Sequence, residues 1–87
     1  MDEYSEVVKR FYEVYLPLGR KYNLSIHSTF KTGKLGIIRI YQGDWPRQKQ
    51  IIKVERDGDV DCYKKAIDEL ESWARNQQKE TVKYKTA

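Results

Sequence analysis

The sequence predicts a single small α+β domain, in which a helix, a three-stranded antiparallel sheet and a second helix follow one another along the chain. The chain has 87 residues, too few for two separate cores. Apolar residues recur at helical spacing near both ends, and three short runs of alternating polarity lie between them. We expect one domain over residues 1–78, with both helices on one sheet face, and a polar, basic tail over residues 79–87.

The first helix is predicted over residues 4–23. Steps of three and four residues separate its apolar and aromatic positions, which places them along one face: Tyr4, Val8, Phe11, Tyr15, Leu18 and Tyr22. Pro17 lacks the amide hydrogen that a helix interior uses, so a kink is expected there. Asn23 is a suitable left-handed stop.

Three strands are predicted over residues 24–30, 35–41 and 48–55, with the most apolar one in the centre. Residues 31–34, with Gly33, form a hairpin connection, and Gly43, Asp44 and Pro46 indicate a longer turn before the third strand. Alternation assigns one set of side chains to the face that the helices cover: Ile26, Phe30, Ile38, Ile40, Ile52 and Val54. The opposite face then carries His27, Thr29, Lys31, Ile37, Arg39, Tyr41, Lys49, Ile51 and Lys53.

The second helix follows the acidic turn at residues 57–61, where Asp59 or Asp61 can cap the exposed amides. Helical spacing of apolar residues then continues to about Gln78. The positions that carry this spacing are Tyr63, Ala66, Ile67, Leu70, Trp73, Ala74 and Gln77.

Charge is distributed unevenly along the chain, whose formal net charge is +4. Residues 24–56 hold seven basic and two acidic residues, whereas residues 57–78 hold three basic and six acidic ones. A basic, uncovered sheet face suits a polyanion, because Lys and Arg bind phosphates and Tyr can stack or donate a hydrogen bond. The predicted function is therefore binding of nucleic acid, duplex DNA in the first place. The candidate residues are Lys31, Lys34, Arg39, Tyr41, Arg47, Lys49 and Lys53.

Two other interpretations of the same face stay open. Basic residues on exposed strands also keep small domains soluble and discourage edge-to-edge aggregation, with no ligand involved. Alternatively, the domain is a small protein-interaction module, such as an inhibitor or adaptor of the kind that phages and other mobile elements carry. Its interface would be Ile37, Tyr41, Trp45 and Ile51, since aromatic residues dominate interface energetics. Against this, a tryptophan in such a turn more often packs as a lid over the sheet edge.

The sequence offers no catalytic centre, so we expect a non-enzymatic protein without cofactor or metal. His27 is the single histidine and is predicted on the exposed face, where a histidine is more often structural than a catalytic base, which would also need a nucleophile or orienting carboxylate nearby. Cys62 is the single cysteine, which precludes an internal disulfide and indicates a reducing, cytosolic compartment. The acidic run at residues 57–61 lacks the glycine and glutamate of a calcium loop. No apolar run is long enough to cross a bilayer, so no membrane partner is expected.

Two families resemble parts of this pattern. The order helix, three strands, helix is similar to that of double-stranded-RNA-binding domains, in which basic residues at the start of the second helix bind phosphates. Lys64 and Lys65 resemble part of that motif, although Asp68 and Glu69 follow. The strands and second helix, about residues 24–76, also resemble the arm-type DNA-binding domains of tyrosine integrases. That resemblance implies major-groove binding by the uncovered sheet.

Overall fold

The computed structural model describes residues 2–31 and 35–86, and for residues 78–86 it describes the backbone alone. Helix α1 (Glu3–Tyr22) is followed by strands β1 (Leu24–Phe30), β2 (Leu35–Gln42) and β3 (Lys49–Asp57), and then by helix α2 (Asp59–Thr86). The predicted α+β class and element order are confirmed. Among the described residues, no helix is long and apolar enough to cross a membrane.

Helix α1 has a defined cap at each end. The Asp2 side chain accepts a hydrogen bond from the Ser5 backbone N–H over 2.8 Å, which satisfies one of the free amides at the start of the helix. Asn23 ends the helix in the left-handed conformation (φ 56°), as predicted, and its N–H donates to the Gly19 carbonyl. Pro17 lies inside one continuous helix.

The buried face of α1 differs from the predicted one by a small rotation. Val7 is buried with Phe11 and Tyr15, whereas Tyr4 is exposed and Val8 is only partly buried. The sequence predicted Tyr4 and Val8 in the core instead. Viewed along the helix axis, Val7 and Val8 project on opposite sides of Phe11. The position of α2 therefore decides which of the two is covered.

The sheet is antiparallel, with β2 in the centre as predicted. Both helices pack on one face, where α2 covers β2 and β3 and α1 packs mainly against α2 and more lightly against β1. Ile38, Ile40, Ile52 and Val54 are buried on this face, so the predicted alternation of β2 and β3 is confirmed for them. The helices complete the core with Val7, Phe11, Tyr15, Cys62, Tyr63, Ala66, Ile67 and Leu70.

The β1 side of the sheet is less completely covered than the sequence predicted. Ile26 is only partly buried, and Phe30 retains 38% exposure although both belong to the covered face. The reason is the position of α2, which lies over the other two strands. The edge strand β1 therefore contributes little to the closed core.

A register shift between Ile40 and Tyr41 changes the start of β3. Ile40 pairs with Ile52 but Tyr41 pairs with Gln50, so one extra residue is inserted on the β3 side. Lys49 then pairs with Gln42, which lies on the covered face because it follows Ile40 by two residues. The sequence placed Lys49 on the uncovered face, and that placement is wrong because strict alternation does not anticipate the bulge.

Helix α2 continues beyond its predicted end. It reaches Thr86, whereas the sequence pattern ended it near Gln78. Apolar spacing weakens after Gln77, but residues 78–86 contain no proline or glycine that would end a helix. The backbone of residues 79–86, within the stretch predicted as a polar, basic tail, is therefore helical.

Candidate nucleic-acid interface

The centre of the uncovered sheet face is a row of three cross-strand neighbours. Arg39 on the central strand pairs with His27 of β1 on one side and with Lys53 of β3 on the other. Arg39 and Lys53 lie opposite the helices, since the residues that flank them along the strands are buried on the covered face: Ile38, Ile40, Ile52 and Val54. His27 pairs with Arg39 and therefore shares its face. The fold thus places the two basic side chains on adjacent strands, about 5 Å apart at the backbone.

Tyr41 follows Arg39 on the same face of β2, and its ring contacts the His27 ring edge to face at a centroid distance of 5.5 Å. It is half-buried, because the neighbouring strands flank it on both sides. An aromatic ring held next to an arginine in this way offers both a stacking surface and a hydroxyl group to a ligand. Arg39, Tyr41 and Lys53 are therefore brought together as the sequence predicted.

Glu55 also lies on this face, and the sequence analysis did not include it among the site residues. Its carboxylate forms an ion pair with Lys53 over 2.8 Å. The hydrogen bond and charge of Lys53, with a smaller contribution from the charge of Arg39, lower the pKa of Glu55. The i, i+2 spacing of Lys53 and Glu55 on a strand was a signal for this contact, because such residues share a face. The uncovered face is consequently less positive than a count of its basic residues suggests.

The hairpin end of the sheet carries the next basic residue. Lys31 is exposed, and its backbone N–H donates to the Leu35 carbonyl over 3.2 Å, which continues the β1–β2 ladder by one bond. Lys34 lies outside the described residues, so its predicted position at the hairpin tip stays a prediction.

The opposite end of the sheet is the loop between β2 and β3, where Trp45 is 82% exposed. The expectation that Trp45 packs as a lid over the sheet edge is wrong. The loop is anchored by hydrogen bonds near its start: the Gly43 N–H donates to the Asn23 carbonyl, and Asn23 Nδ2 donates to Asp44 Oδ1, each over 3.0 Å. These bonds join the start of the loop to the end of α1, and the Trp45 indole, beyond them in the loop, faces solvent.

The predicted site residues thus fall into three groups along the sheet. Arg39, Tyr41 and Lys53 lie together in the centre, and Lys31 lies at the hairpin end. Arg47 and Lys49 lie at the loop end and are both exposed. Of the alternative interface residues, Ile37 and Ile51 are partly buried, and Ile51 packs against the core.

Other polar groups show structural roles. Lys64 forms an ion pair with Glu3 over 3.4 Å, and Lys65 forms one with Glu69 over 3.1 Å, both on the helical layer and away from the uncovered face. Cys62 is a free thiol buried in the core, and burial raises its pKa. In the part of the chain that the structure describes, no group of three or more His, Cys, Asp or Glu residues could hold a metal ion.

Comparison with known proteins adds no relative to this description. No family model matches the chain, and neither a curated protein nor a solved structure matches it. The resemblances to double-stranded-RNA-binding domains and to integrase arm domains therefore gain no support from known proteins.

Proposed function

We propose that this domain is a non-enzymatic nucleic-acid-binding module that contacts duplex DNA with the uncovered face of its sheet. The observation that carries the proposal is the position of Arg39 beside Lys53 on adjacent strands, with Tyr41 next to them and no helix over them. Arg39 and Lys53 neutralise phosphates, which supplies most of the affinity and makes it dependent on salt. Tyr41 packs against sugar or base at the same place.

The remaining basic residues extend the contact along the sheet. Lys31 at one end and Arg47 at the other lie about 20 Å apart, the length of a strand of this size. That separation is about six base pairs of duplex, given one phosphate per strand every 3.4 Å. Lys49 is left out of this contact, because the bulge places it on the other side of the sheet. In this proposal Lys31 reaches toward a groove from the hairpin end, where the sequence also predicts Lys34.

Glu55 sets a condition on this proposal. Lys53 must exchange its ion pair with Glu55 for a phosphate, or bind the phosphate beside Glu55, and either step lowers the gain from that contact. Arg39 forms no ion pair with another described residue, so it is the stronger contact. Its guanidinium can bind a phosphate through two hydrogen bonds.

The proposal includes a cytosolic location and no cofactor. The free, buried thiol of Cys62 suits a reducing compartment, because cysteines stay reduced there and disulfides are rare.

The test is binding of the full chain to duplex DNA, duplex RNA and single strands at low and high salt. Duplex DNA should bind best, and affinity should fall steeply with salt. Arg39→Glu with Lys53→Glu should abolish binding, and the milder pair Arg39→Gln with Lys53→Gln should lower the salt slope by about two.

The matched control is Lys9→Glu with Arg20→Glu, which changes the net charge equally on α1, away from the uncovered face. It should retain most of the affinity, while circular dichroism verifies that every variant is folded. If the control lost as much affinity for duplex DNA as the Arg39/Lys53 variants, binding would depend only on the net charge of the domain. That result would contradict the proposed site.

A second candidate function is supported by the exposure of Trp45. An indole that is 82% exposed on an anchored loop is typical of protein interfaces, where tryptophan often contributes most of the binding energy. In this reading the domain is an inhibitor or adaptor that binds a protein partner. One partner retained after nuclease treatment, and lost with Trp45→Ala, would favour it over DNA binding.

A further inference from the structure

Strand β1 is a sheet edge without the features that normally protect one. Over Leu24–Phe30 it contains no proline and no Lys, Arg, Asp or Glu, and its pairing with β2 continues without a register shift. The other edge strand, β3, contains several charged residues and a bulge at its start. Proteins use charge, proline and bulges to prevent edge pairing, so the unprotected edge β1 is the one suited to accept a further strand.

The helical layer is also wider than the sheet. Helices are about 10 Å in diameter, so α1 and α2 side by side cover about 20 Å. Three strands at a spacing of about 4.8 Å occupy only about 14 Å, and a fourth strand would make up the difference. Because α2 packs on β2 and β3, the part of the helical layer that is wider than the sheet would lie on the α1 side, beyond β1.

The flank of α1 that faces away from α2 is apolar. Arg10 and Glu3 mark the flank toward α2, since they form ion pairs with Glu71 and Lys64. Tyr12 and Leu16 lie nearly opposite on the helix, are 37% and 46% exposed, and are one turn apart. On the sheet below, Phe30 of the covered face is 38% exposed as well.

We propose that β1 binds an extended peptide segment of a partner protein, which adds a fourth strand to the sheet beneath the outer flank of α1. The Leu24 carbonyl on this edge already accepts from the Tyr15 hydroxyl over 3.2 Å. Main-chain hydrogen bonds to the outward-facing groups of Ile26, Ser28 and Phe30 would therefore supply affinity, and every second side chain would pack against Tyr12, Leu16 and Phe30. This proposal goes beyond the DNA-binding function and concerns a different surface.

Charge indicates what kind of segment fits. Lys9 and Arg20 are exposed on α1, and Glu13 is the acidic residue near them on the outer part of the helix. None of the three forms an ion pair with another described residue. The segment should therefore have apolar residues at alternate positions and acidic residues between them.

A second copy of the chain fits this edge less well. If two β1 strands paired around a two-fold axis, both α1 helices would lie on the same side of the joined sheet. Each already extends past its own β1 strand, so the two helices would need the same space. A peptide that brings no helix with it avoids this overlap.

The test uses the full chain and a synthetic peptide of about eight alternating glutamate and valine residues, similar in length to β1. Amide chemical shifts measured by NMR detect even weak binding, and they should change along β1 and on the outer flank of α1. Two control peptides have the same length: one alternates lysine and valine, and one has the glutamates and valines in separate blocks. Both should bind at least about tenfold more weakly.

Backbone pairing is tested with N-methylated versions of the alternating peptide. The N–H groups of alternate residues point to the same edge of a strand, so methylation of only the glutamate amides or only the valine amides blocks one edge. One methylated peptide should lose binding and the other should retain it. Retention by both would contradict strand addition.

Protein variants separate this surface from the DNA site. Leu16→Ser, and separately Lys9→Glu with Arg20→Glu, should each weaken peptide binding about tenfold, whereas Arg39→Gln with Lys53→Gln should leave it unchanged. Absence of shifts along β1 in the wild-type protein would overturn the proposal. A dimer detected by light scattering, with the β1 amides protected from hydrogen exchange in that dimer, would also overturn it.

Discussion

The ring of Phe30 lies directly over Gly36, its cross-strand partner on β2. A Cβ atom built on Gly36 would meet two ring carbons of Phe30 at 2.7 Å, a distance at which one group must move. The same ring stacks on Tyr63 of α2 at a centroid distance of 5.5 Å. The glycine therefore allows an edge-strand aromatic to contact both the central strand and the helix.

Gly36→Ala should destabilise the domain by about 1–2 kcal/mol, because the new methyl group displaces the Phe30 ring from its contact with Tyr63. Urea unfolding of the full chain measures the loss. In a Phe30→Ala background the same substitution should cost much less, since the clash is absent. Equal costs in both backgrounds would show that the ring position does not depend on Gly36.

Asn23 joins the end of α1 to the β2–β3 loop, and its two roles can be separated. Asn23→Gly retains the left-handed conformation but removes the bond to Asp44, whereas Asn23→Ala removes both. We expect Asn23→Ala to be less stable than Asn23→Gly by about 1 kcal/mol in urea unfolding. Asp44→Ala is the matched variant for the side-chain bond alone. If Ala and Gly at position 23 are equally stable, the conformational argument fails.

Tyr63 should make stability depend on alkaline pH. Burial raises the pKa of its phenol from 10.0 to about 12, with smaller contributions from Tyr4 and Tyr12. The folded state therefore favours the protonated phenol, and its contribution is complete below pH 10 and is lost as the pH rises toward 12. Burial also raises the pKa of Tyr15, so phenolate absorbance should show a late-titrating component that Tyr63→Phe reduces but does not abolish.

The same substitution provides the control for stability. Between pH 10 and 12, Tyr63→Phe should lose less stability than the wild type, while other titrating groups act equally in both proteins. Parallel loss in the two proteins would mean that Tyr63 does not resist ionisation.

Glu55→Gln should increase affinity for duplex DNA, because it releases Lys53 from its ion pair and removes a negative charge near Arg39. A gain of about fivefold at low salt corresponds to one charge interaction at contact distance in water. Glu71→Gln, which removes the partner of Arg10 on the helical layer, should change affinity far less. Gel-shift titrations compare the two, and an unchanged or lower affinity for Glu55→Gln would contradict the proposed contact face.

Glu55 also gives a stability prediction in acid. Its pKa is lowered by Lys53, so its contribution is present above the ordinary glutamate pKa and is lost as the pH falls through the lowered value. Glu55→Gln should remove that part of the acid sensitivity. An acid unfolding profile that is identical in both proteins would show that the ion pair contributes nothing to stability.

Local patterns in the sequence were sufficient for the elements and for most of the covered face. Asn23 was recognised as the end of α1 because asparagine tolerates the left-handed conformation that follows a helix. Ile38, Ile40, Ile52 and Val54 were assigned correctly because strand side chains alternate with a period of two. The same period placed Arg39 and Tyr41 together on the uncovered face.

The features that the sequence left undetermined depend on contacts between distant segments. The bulge that moves Lys49 arises from the pairing of β3 with β2, and Trp45 is exposed in a loop that hydrogen-bonds to the distant residue Asn23. The incomplete cover of Phe30 depends on where α2 lies on the sheet.

The sequence by itself thus determined one small α+β domain, the order of its elements and the basic character of the strand segment, residues 24–56. Each of these follows from periodicity and composition. The tertiary structure alone decided that Glu55 offsets Lys53, that Trp45 faces solvent, and that α2 covers β2 and β3 while β1 is covered less. The physical reason is that propensity and periodicity act between near neighbours in the chain. Cross-strand pairing and helix placement are set by packing between residues that are far apart in it.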